Sequence, residues 1–401
     1  MSDKQIRYVD LFAGCAGLSL GLHNAGLVGL FAIEKNSDAF KTLRYNLIDK
    51  VNHFSLWPEW LEKKNHDIIE LLDNHKEDIL SLKGSIDLVV GGPPCQGFSM
   101  AGKRDPKDIR NKLVDYYIEF IKLSEPTYVL FENVKGLTTS IKRKGKNTKT
   151  YKDYVVKKFE DLGYNVESKM ISMNNYGVPQ KRERFILIGS KKGKTNFFNK
   201  LDDNFNSFIN SKGIKPVNTI KDALSDLKRS NGEIQSPDTK SFKAGKYGRK
   251  SSGYQKLMRA KTTLKHPDSH RFANQTPVIV KLQQEMIDKC PKGVRITPNN
   301  NYVDNLKRRG ATILNPKGLS PTITSNPDGL IHYNEPRIPT VREMARLQSF
   351  PDHYEFKGKY TTGGKLRKVD VPRYTQIGNA VPPLFAEQAG LIFKEIIGDE
   401  Q

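Results

Sequence analysis

Two short runs constrain the fold more than any other feature of the chain. Residues 86–90 (IDLVV) and 128–131 (YVLF) are apolar apart from Asp87, and each feeds a turn rich in Gly, Pro or polar residues. Strands this short, with no alternation, belong to sheets covered on both faces. Residues 6–12, 27–33 and 185–189 read as companion strands. Helical spacing fills the gaps at 18–25, 116–123 and 154–162, with Gly163 as the stop of the last. Alternation of this kind predicts an α/β fold with a doubly wound, mainly parallel sheet. At 401 residues the chain has room for two or three domains of ordinary size and a full core.

The pattern stops after Gly189. Residues 191–310 are rich in Lys, Asn, Ser, Gly and Thr and show no clear period. They read as a smaller, loop-rich module. Helical spacing returns at 341–350 and 384–397. The expected divisions are 1–190, 191–318 and 319–401, the last a return segment whose terminal helix packs back on the first. The formal net charge is +22, and residues 191–310 alone carry +16 of it. Such a basic block points to a polyanion, nucleic acid before any anionic membrane. No apolar run reaches the ~18 residues of a membrane span. Cys15, Cys95 and Cys290 form no Cys-x-x-Cys pair, so reduced thiols, a cytosolic setting and no metal site are expected.

Four motifs carry chemistry. Asp10-Leu-Phe-Ala-Gly-Cys-Ala-Gly17 runs from a strand through a Gly-rich turn into a helix, where backbone can approach a ligand closely. Glu34, closing the next strand, suits a ribose diol. Gly91-Gly-Pro-Pro-Cys-Gln-Gly-Phe-Ser99 sets Cys95 at the carboxyl end of a buried strand, where α/β sheets bind ligands, as a candidate nucleophile. Phe131-Glu-Asn-Val134 places Glu132 at the same edge as a candidate proton donor. Gln180-Lys-Arg-Glu-Arg184 offers Arg182 and Arg184, two apart and expected to point the same way on a strand, where such a pair could hold a carbonyl, a phosphate or Glu132.

Together with REMARLQSFP at 342–351 and QIGNAVPP at 376–383, these motifs closely resemble the S-adenosylmethionine-dependent DNA cytosine-5 methyltransferases. They fall in that family's order and span nearly the whole chain. The resemblance implies a Rossmann-like methyltransferase domain with a target-recognition domain at 191–318. It makes Cys95 the nucleophile on cytosine carbon 6. Glu132 binds ring nitrogen 3 and the amine, Arg184 binds the base carbonyl, and Arg182 braces the thiolate. For the cofactor it implies Asp10, Phe12, Ala13, Gly14, Gly17, Leu18, Glu34, Lys35, Asp67, Ile68, Pro94, Leu113, Asn379 and Ala380. Phe12 lies against adenine in this reading, Glu34 on the ribose and Asn379 beside the methionine moiety. Asp67 is preferred over Asp78 for the adenine amine, because it leaves 69–82 as the crossover helix.

Ala16 stands where the family pattern has a second glycine. Residues 50–65, with Trp57 and Trp60, form a longer stretch than expected, and core packing suits the tryptophans better than base stacking. Residues 98–113, with Lys103, Arg104, Lys107 and Arg110, read as a loop closing over substrate. Lys142–Lys149 is a solvated basic loop, and Arg249, Arg259 and Arg271 are candidate phosphate contacts. Few residues precede the first strand, so no large N-terminal regulatory domain is expected. The implied partner is double-stranded DNA, with a monomeric bacterial or phage enzyme and a cognate restriction endonuclease. An RNA methyltransferase, a silent DNA-binding regulator and a dinucleotide-dependent oxidoreductase, which would not need Pro-Pro-Cys-Gln and whose fingerprint is not matched, are the rivals. The first would carry a Cys-Phe-Thr element, and the second would lack Cys95 or Glu132.

Overall fold

The structure, a computed structural model, describes residues 5–94, 112–139, 150–300, 302–303, 310–361 and 370–398. Cys95, residues 98–111 of the loop expected at 98–113 and the basic loop at 142–149 lie outside these residues, whereas Lys112 and Leu113 open a helix. The chain divides into two compact units. The first comprises Met1–Ser172, Glu183–Phe205 and Phe385–Gln401, and the second Met173–Arg182 and Asn206–Leu384.

In the first unit the elements run β1 (Arg7–Leu11), α1 (Gly17–Asn24), β2 (Val28–Ile33), α2 (Ser37–Leu43), α3 (Ile68–Asn74), α4 (Lys76–Ser81), β3 (Leu88–Gly91), α5 (Lys112–Ser124), β4 (Tyr128–Val134), α6 (Tyr151–Asp161), β5 (Asn165–Ser172) and β6 (Glu183–Ser190), and α7 (Phe197–Lys212) belongs to it as far as Phe205. The sheet order is β2-β1-β3-β4-β6-β5. The first four strands pair in parallel. Every residue of β3 is buried, as expected for a strand covered on both faces.

The last two strands pair antiparallel, β6 against both β4 and β5. Strand β5 was not expected from the sequence. Its residues NVESKMIS are mostly half-exposed, so it lacks the apolar run of its neighbours, as suits an edge strand. The helix expected over 69–82 is two helices, interrupted at His75, whose Nδ1 lies 2.9 Å from the Asp78 carboxylate. Thr150 and Asp153 form a capping box at the start of α6, and Gly163 follows its end at φ +83°.

Residues 50–65 pack an aromatic cluster against β2. Trp57 is buried, meets Phe31, Phe40 and Phe54 edge-to-face, and donates its indole N–H to the Leu61 carbonyl at 2.7 Å. Trp60 meets Phe31 edge-to-face. Both tryptophans therefore contribute packing.

The second unit holds α8 (Ile220–Leu224), β7 (Glu233–Gln235), β8 (Lys243–Gly245), α9 (Gly253–Met258), α10 (Pro277–Lys289), β9 (Arg295–Ile296), β10 (Ala311–Ile313), β11 (Leu330–Ile331), α11 (Val341–Leu347) and α12 (Arg373–Asn379). Its strands form a β11-β10-β9 sheet and a β7-β8 ribbon. Helix α13 (Pro383–Gly398) ends the described chain, and its Phe393 packs on Tyr128 and Phe197 in the first unit.

The stretch 191–310 is less irregular than its composition suggests. Phe197, Leu201, Phe208 and Ile209 line one buried stripe of α7 at helical spacing. Met286 on α10 joins Cys290, Ile296, Ala311, Ile313 and Ile331 in a small apolar core of its own.

Candidate active site

Parallel pairing of β2, β1, β3 and β4 brings four carboxyl ends to one edge, and the strand order turns between β1 and β3. That edge is where an open α/β sheet offers a crevice. At the end of β1, Phe12 takes a left-handed backbone conformation (φ +60°), as do Gly14 (φ +57°) and Ala16 (φ +61°). A bulky residue in that region is held there by its surroundings, a frequent property of ligand-binding turns. The Ala13 N–H donates to the Ile33 carbonyl at 3.0 Å, which ties the turn to the end of β2.

Glu34 holds this turn. Its Oε2 accepts the Gly14 N–H at 2.9 Å and its Oε1 accepts the Asn36 N–H at 2.7 Å. Burial raises its pKa, and the two N–H donors oppose the rise. Each oxygen keeps acceptor capacity, which fits a ribose diol as donor.

Beneath the turn, Asp10 is buried and accepts the Ser19 hydroxyl at 2.5 Å. Burial pushes its pKa up to about 7, against the Ser19 hydrogen bond and with a further push from Glu34. Asp10 therefore anchors α1 to β1. Gly17 and Leu18 open that helix and are buried. Ser19, the partner of Asp10, carries no signal in sequence.

Lys35 is exposed and pairs with Asp67 at 2.5 Å. Asp67 also caps α3 by accepting the Ile69 N–H at 3.1 Å, and the His66 N–H donates to the Glu34 carbonyl. Asp67 thus lies beside the end of β2, whereas Asp78 faces His75. Ile68 is buried in the α3 packing face. Pro94 is exposed, and Leu113 is half-buried in the first turn of α5.

The second cluster sits at the ends of β3 and β4. Glu132 stands opposite Ile186 in the antiparallel β4–β6 pair, and Arg184 stands opposite Val134. The two are diagonal neighbours on one face. Arg184 Nε lies 2.7 Å from Glu132 Oε1, and Arg184 Nη1 donates to the Glu183 carbonyl at 2.8 Å. Glu132 is nearly buried. Asn133 donates its Nδ2–H to the Pro93 carbonyl at 2.9 Å, which fastens the chain just before Cys95.

Arg182 departs from expectation. It precedes β6, which begins at Glu183, so the alternation that would align it with Arg184 does not apply. Its buried guanidinium donates to the carbonyls of Ile323, Gly378 and Ala380, all within the second unit. Asn379 ends α12 exposed, and Ala380 is its C-cap. Cys15 and Cys290 are buried, and burial pushes both thiols up, which disfavours the thiolate.

The model for C-5 cytosine-specific DNA methylases matches residues 6–397. The chain is 30% identical to the type II methyltransferase M.DdeI of Desulfomicrobium norvegicum over 94% of its own length and 86% of the relative's. It is 30% identical to the type II methyltransferase M.XorII of Xanthomonas oryzae pv. oryzae, over 95% of this chain and 83% of that one. Among solved structures, a DNA modification methyltransferase encoded in an Escherichia coli prophage superposes with a TM-score of 0.65 at 26% identity, covering 98% of this chain and 100% of the other. The chain, with its Gly-rich turn, carboxylate at the end of β2 and Glu132–Arg184 pair, belongs to the C-5 cytosine-specific DNA methylase family and is a DNA cytosine-5 methyltransferase.

Proposed function

We propose that the protein methylates carbon 5 of one cytosine in a short duplex sequence, with Cys95 as nucleophile. The observation that carries this reading is the Glu132–Arg184 pair at 2.7 Å, beside the Gly92–Pro93 step that leads into Cys95. Family membership implies S-adenosylmethionine as methyl donor, which supplies an electrophilic methyl group on a sulfonium. Glu34 accepts the ribose hydroxyls, Phe12 lies along the adenine, and Gly14 and Gly17 let the backbone close in. Asp67, rather than Asp78, takes the adenine amine, since it stands next to Lys35. Asn379 and Ala380 complete the cofactor residues, with Pro94 and Leu113.

Cytosine is a weak electrophile at carbon 6. Glu132, as the protonated acid or by sharing a proton, donates to ring nitrogen 3 and accepts from the amine, and Arg184 donates to the carbonyl oxygen, so that charge arriving with the thiolate is neutralised. The Cys95 sulfur–carbon 6 bond forms, carbon 5 becomes nucleophilic and takes the methyl group, and the sulfonium sulfur–methyl bond breaks to leave S-adenosylhomocysteine. Loss of the carbon-5 proton to water then breaks the sulfur–carbon 6 bond, expels Cys95 as thiolate and restores the ring. Both groups act most strongly on charge that exists only along the reaction, which raises kcat. A base stacked in a duplex is out of reach, so the target flips out.

Arg182 braces the thiolate and its neighbourhood in this reading, while its two terminal nitrogens also donate to three carbonyls. Residues 191–318 supply sequence recognition, and their basic surplus supplies phosphate contacts. Among the described residues no helix is long and apolar enough to cross a membrane. The protein acts as a monomer on cytoplasmic DNA and protects it from a cognate endonuclease. Cytosine-methylation sequencing of DNA treated with enzyme and S-adenosylmethionine tests the proposal, with Cys95→Ser as control. Methylation at one motif, lost in the variant, is expected. Methylation surviving Cys95→Ser, or appearing only on RNA, would overturn it.

A further inference from the structure

Strand β3 ends in two glycines, and they serve different neighbours. A Cβ on Gly91 would lie 2.4 Å from the Leu11 carbonyl oxygen and 2.8 Å from the Tyr117 ring. That glycine is required by the packing of β3 against β1 and α5. A Cβ on Gly92 would meet neither. Its nearest atom would be Oε2 of Glu132 at 2.7 Å, then the Glu132 carbonyl oxygen at 3.5 Å. Gly92 does not have a positive φ, so conformational freedom does not account for it. The carboxylate of Glu132 rests in the volume that a side chain at 92 would fill.

The next residue fixes the same spot from the other strand. Asn133 is 3% exposed. Its Nδ2 donates to the Pro93 carbonyl at 2.9 Å, and its Oδ1 accepts the Val134 N–H at 2.9 Å. Both ends of the amide are therefore engaged, and its orientation follows from these partners. The Gly92–Pro93 step is pinned to β4 at the position where Glu132 projects. Glu132 in turn reaches Arg184 through its other oxygen.

We propose that Gly92 and Asn133 are positioning residues for Glu132: Gly92 gives the carboxylate its seat, and Asn133 holds that seat against β4. The proposal rests on the reading of Glu132 as the group that hydrogen-bonds the flipped cytosine. A methyl at 92 forces the carboxylate to swing away by several tenths of an ångström, off its line to Arg184 Nε. Displacements of this size in reacting groups cost up to about 100-fold in rate. Nothing in this change touches the turn at Phe12–Gly17 or Glu34.

The test is a double-mutant cycle in the full-length enzyme, read by steady-state methylation of duplex DNA and by calorimetric S-adenosylmethionine affinity. Gly92→Ala is expected to lower kcat by about 30- to 100-fold, with cofactor affinity within twofold of wild type. Glu132→Asp shortens the side chain and leaves room for the new methyl. Its penalty should therefore be at least fivefold smaller in the Gly92→Ala background than in wild type, a coupling that general destabilisation would not produce. Asn133→Ala should lower kcat by about tenfold, again without loss of cofactor affinity, and it keeps the proposal testable if Gly92→Ala does not fold. Additive penalties in the cycle, or wild-type kcat in both Gly92→Ala and Asn133→Ala, would overturn the proposal. Full activity in Glu132→Gln would instead overturn the reading of Glu132 on which it rests.

Discussion

The two compact units treat charge in opposite ways. The first has an apolar sheet core and sets Glu34, Glu132 and Arg184 at strand ends. The second buries charge as structure. Arg346 on α11 is fully buried, and each of its nitrogens meets an acceptor. Nε reaches Asp352, Nη1 reaches Ala223 and Asp226, and Nη2 reaches Asp226 and Asp352, at 2.5–3.1 Å. Nearby, Glu343 receives both terminal nitrogens of Arg337 and the Thr340 N–H, each at 2.7 Å. These pairs hold Glu343 and Asp352 below the ordinary carboxylate range, against the burial that would raise them. The Glu132–Arg184 pair has one close contact and leaves donors and acceptors open. Burial of charge alone therefore does not mark the site. A buried pair with unfilled hydrogen-bonding capacity at a strand end does.

Breaking each kind of pair should separate activity from stability. Glu132→Gln is expected to lower kcat by about 100-fold or more, as loss of a positioned acid–base group does. Its thermal unfolding should stay within a few degrees of wild type, and a large loss of stability would place Glu132 with the structural pairs. Arg346→Met should do the reverse. Among the described residues it leaves Asp226 only Arg259 and Asp352 only Tyr247 and Arg342 as charged or hydrogen-bonding side chains, at a cost of about 3–5 kcal/mol, measured by denaturant unfolding. A stability change below about 1 kcal/mol would show that the network is better solvated than its burial implies.

A third change sharpens the comparison through pH. Burial pushes the Asp10 carboxyl from its ordinary 3.8 up to about 7 in the folded protein. Between these values the native state holds the extra proton, so this group makes stability fall as pH rises from about 4 to about 7. His270 and His332 are buried neutral, lowered to about 4 and about 3 from 6.5, and His53 in the first unit is lowered to about 3. The unfolded chain takes up their protons first, so these groups make stability fall as pH drops below 6.5. Asp10→Asn removes only the first slope. It should exceed wild type at pH 8 by up to about 4 kcal/mol and match it near pH 4. An unchanged pH profile would mean that Asp10 is not the group holding the proton.

The smallest effect is expected at Ala16. Glycine relieves the left-handed strain at φ +61°, about 1 kcal/mol, but removes a buried methyl worth about 0.8 kcal/mol. Ala16→Gly should change stability by less than about 1 kcal/mol and leave cofactor affinity unchanged by calorimetry. A larger loss would give the methyl a packing role in the turn.

Much of this architecture was legible as pattern. The short apolar runs gave β3 and β4 because strands covered on both faces must be continuously apolar. Glu132 and Arg184 were legible as chemistry at strand ends, and Glu132 was one of three partners the arginines could hold, but which arginine meets it depends on antiparallel register across 52 residues of chain. Strand β5 was not legible, because an edge strand needs no apolar run. Helix α7 was not read from the sequence, because the polar composition around Phe197, Leu201, Phe208 and Ile209 hid their helical spacing. Asn133 stood in plain view inside the FENV motif, but its value lies in the Pro93 carbonyl it finds 40 residues back along the chain.

By itself the sequence determined the α/β class, the family resemblance and the residue types at each strand end. Those follow from local periodicity and from motifs whose residues are adjacent in the chain. Only the tertiary structure decided which groups touch. It sent Arg182 to three carbonyls while Arg184 turned to Glu132, although the two lie two residues apart. It tied Glu34 to Gly14 and seated the Glu132 carboxylate over Gly92. Such choices depend on strand order, register and where a strand begins, and these are set by packing between segments far apart in sequence.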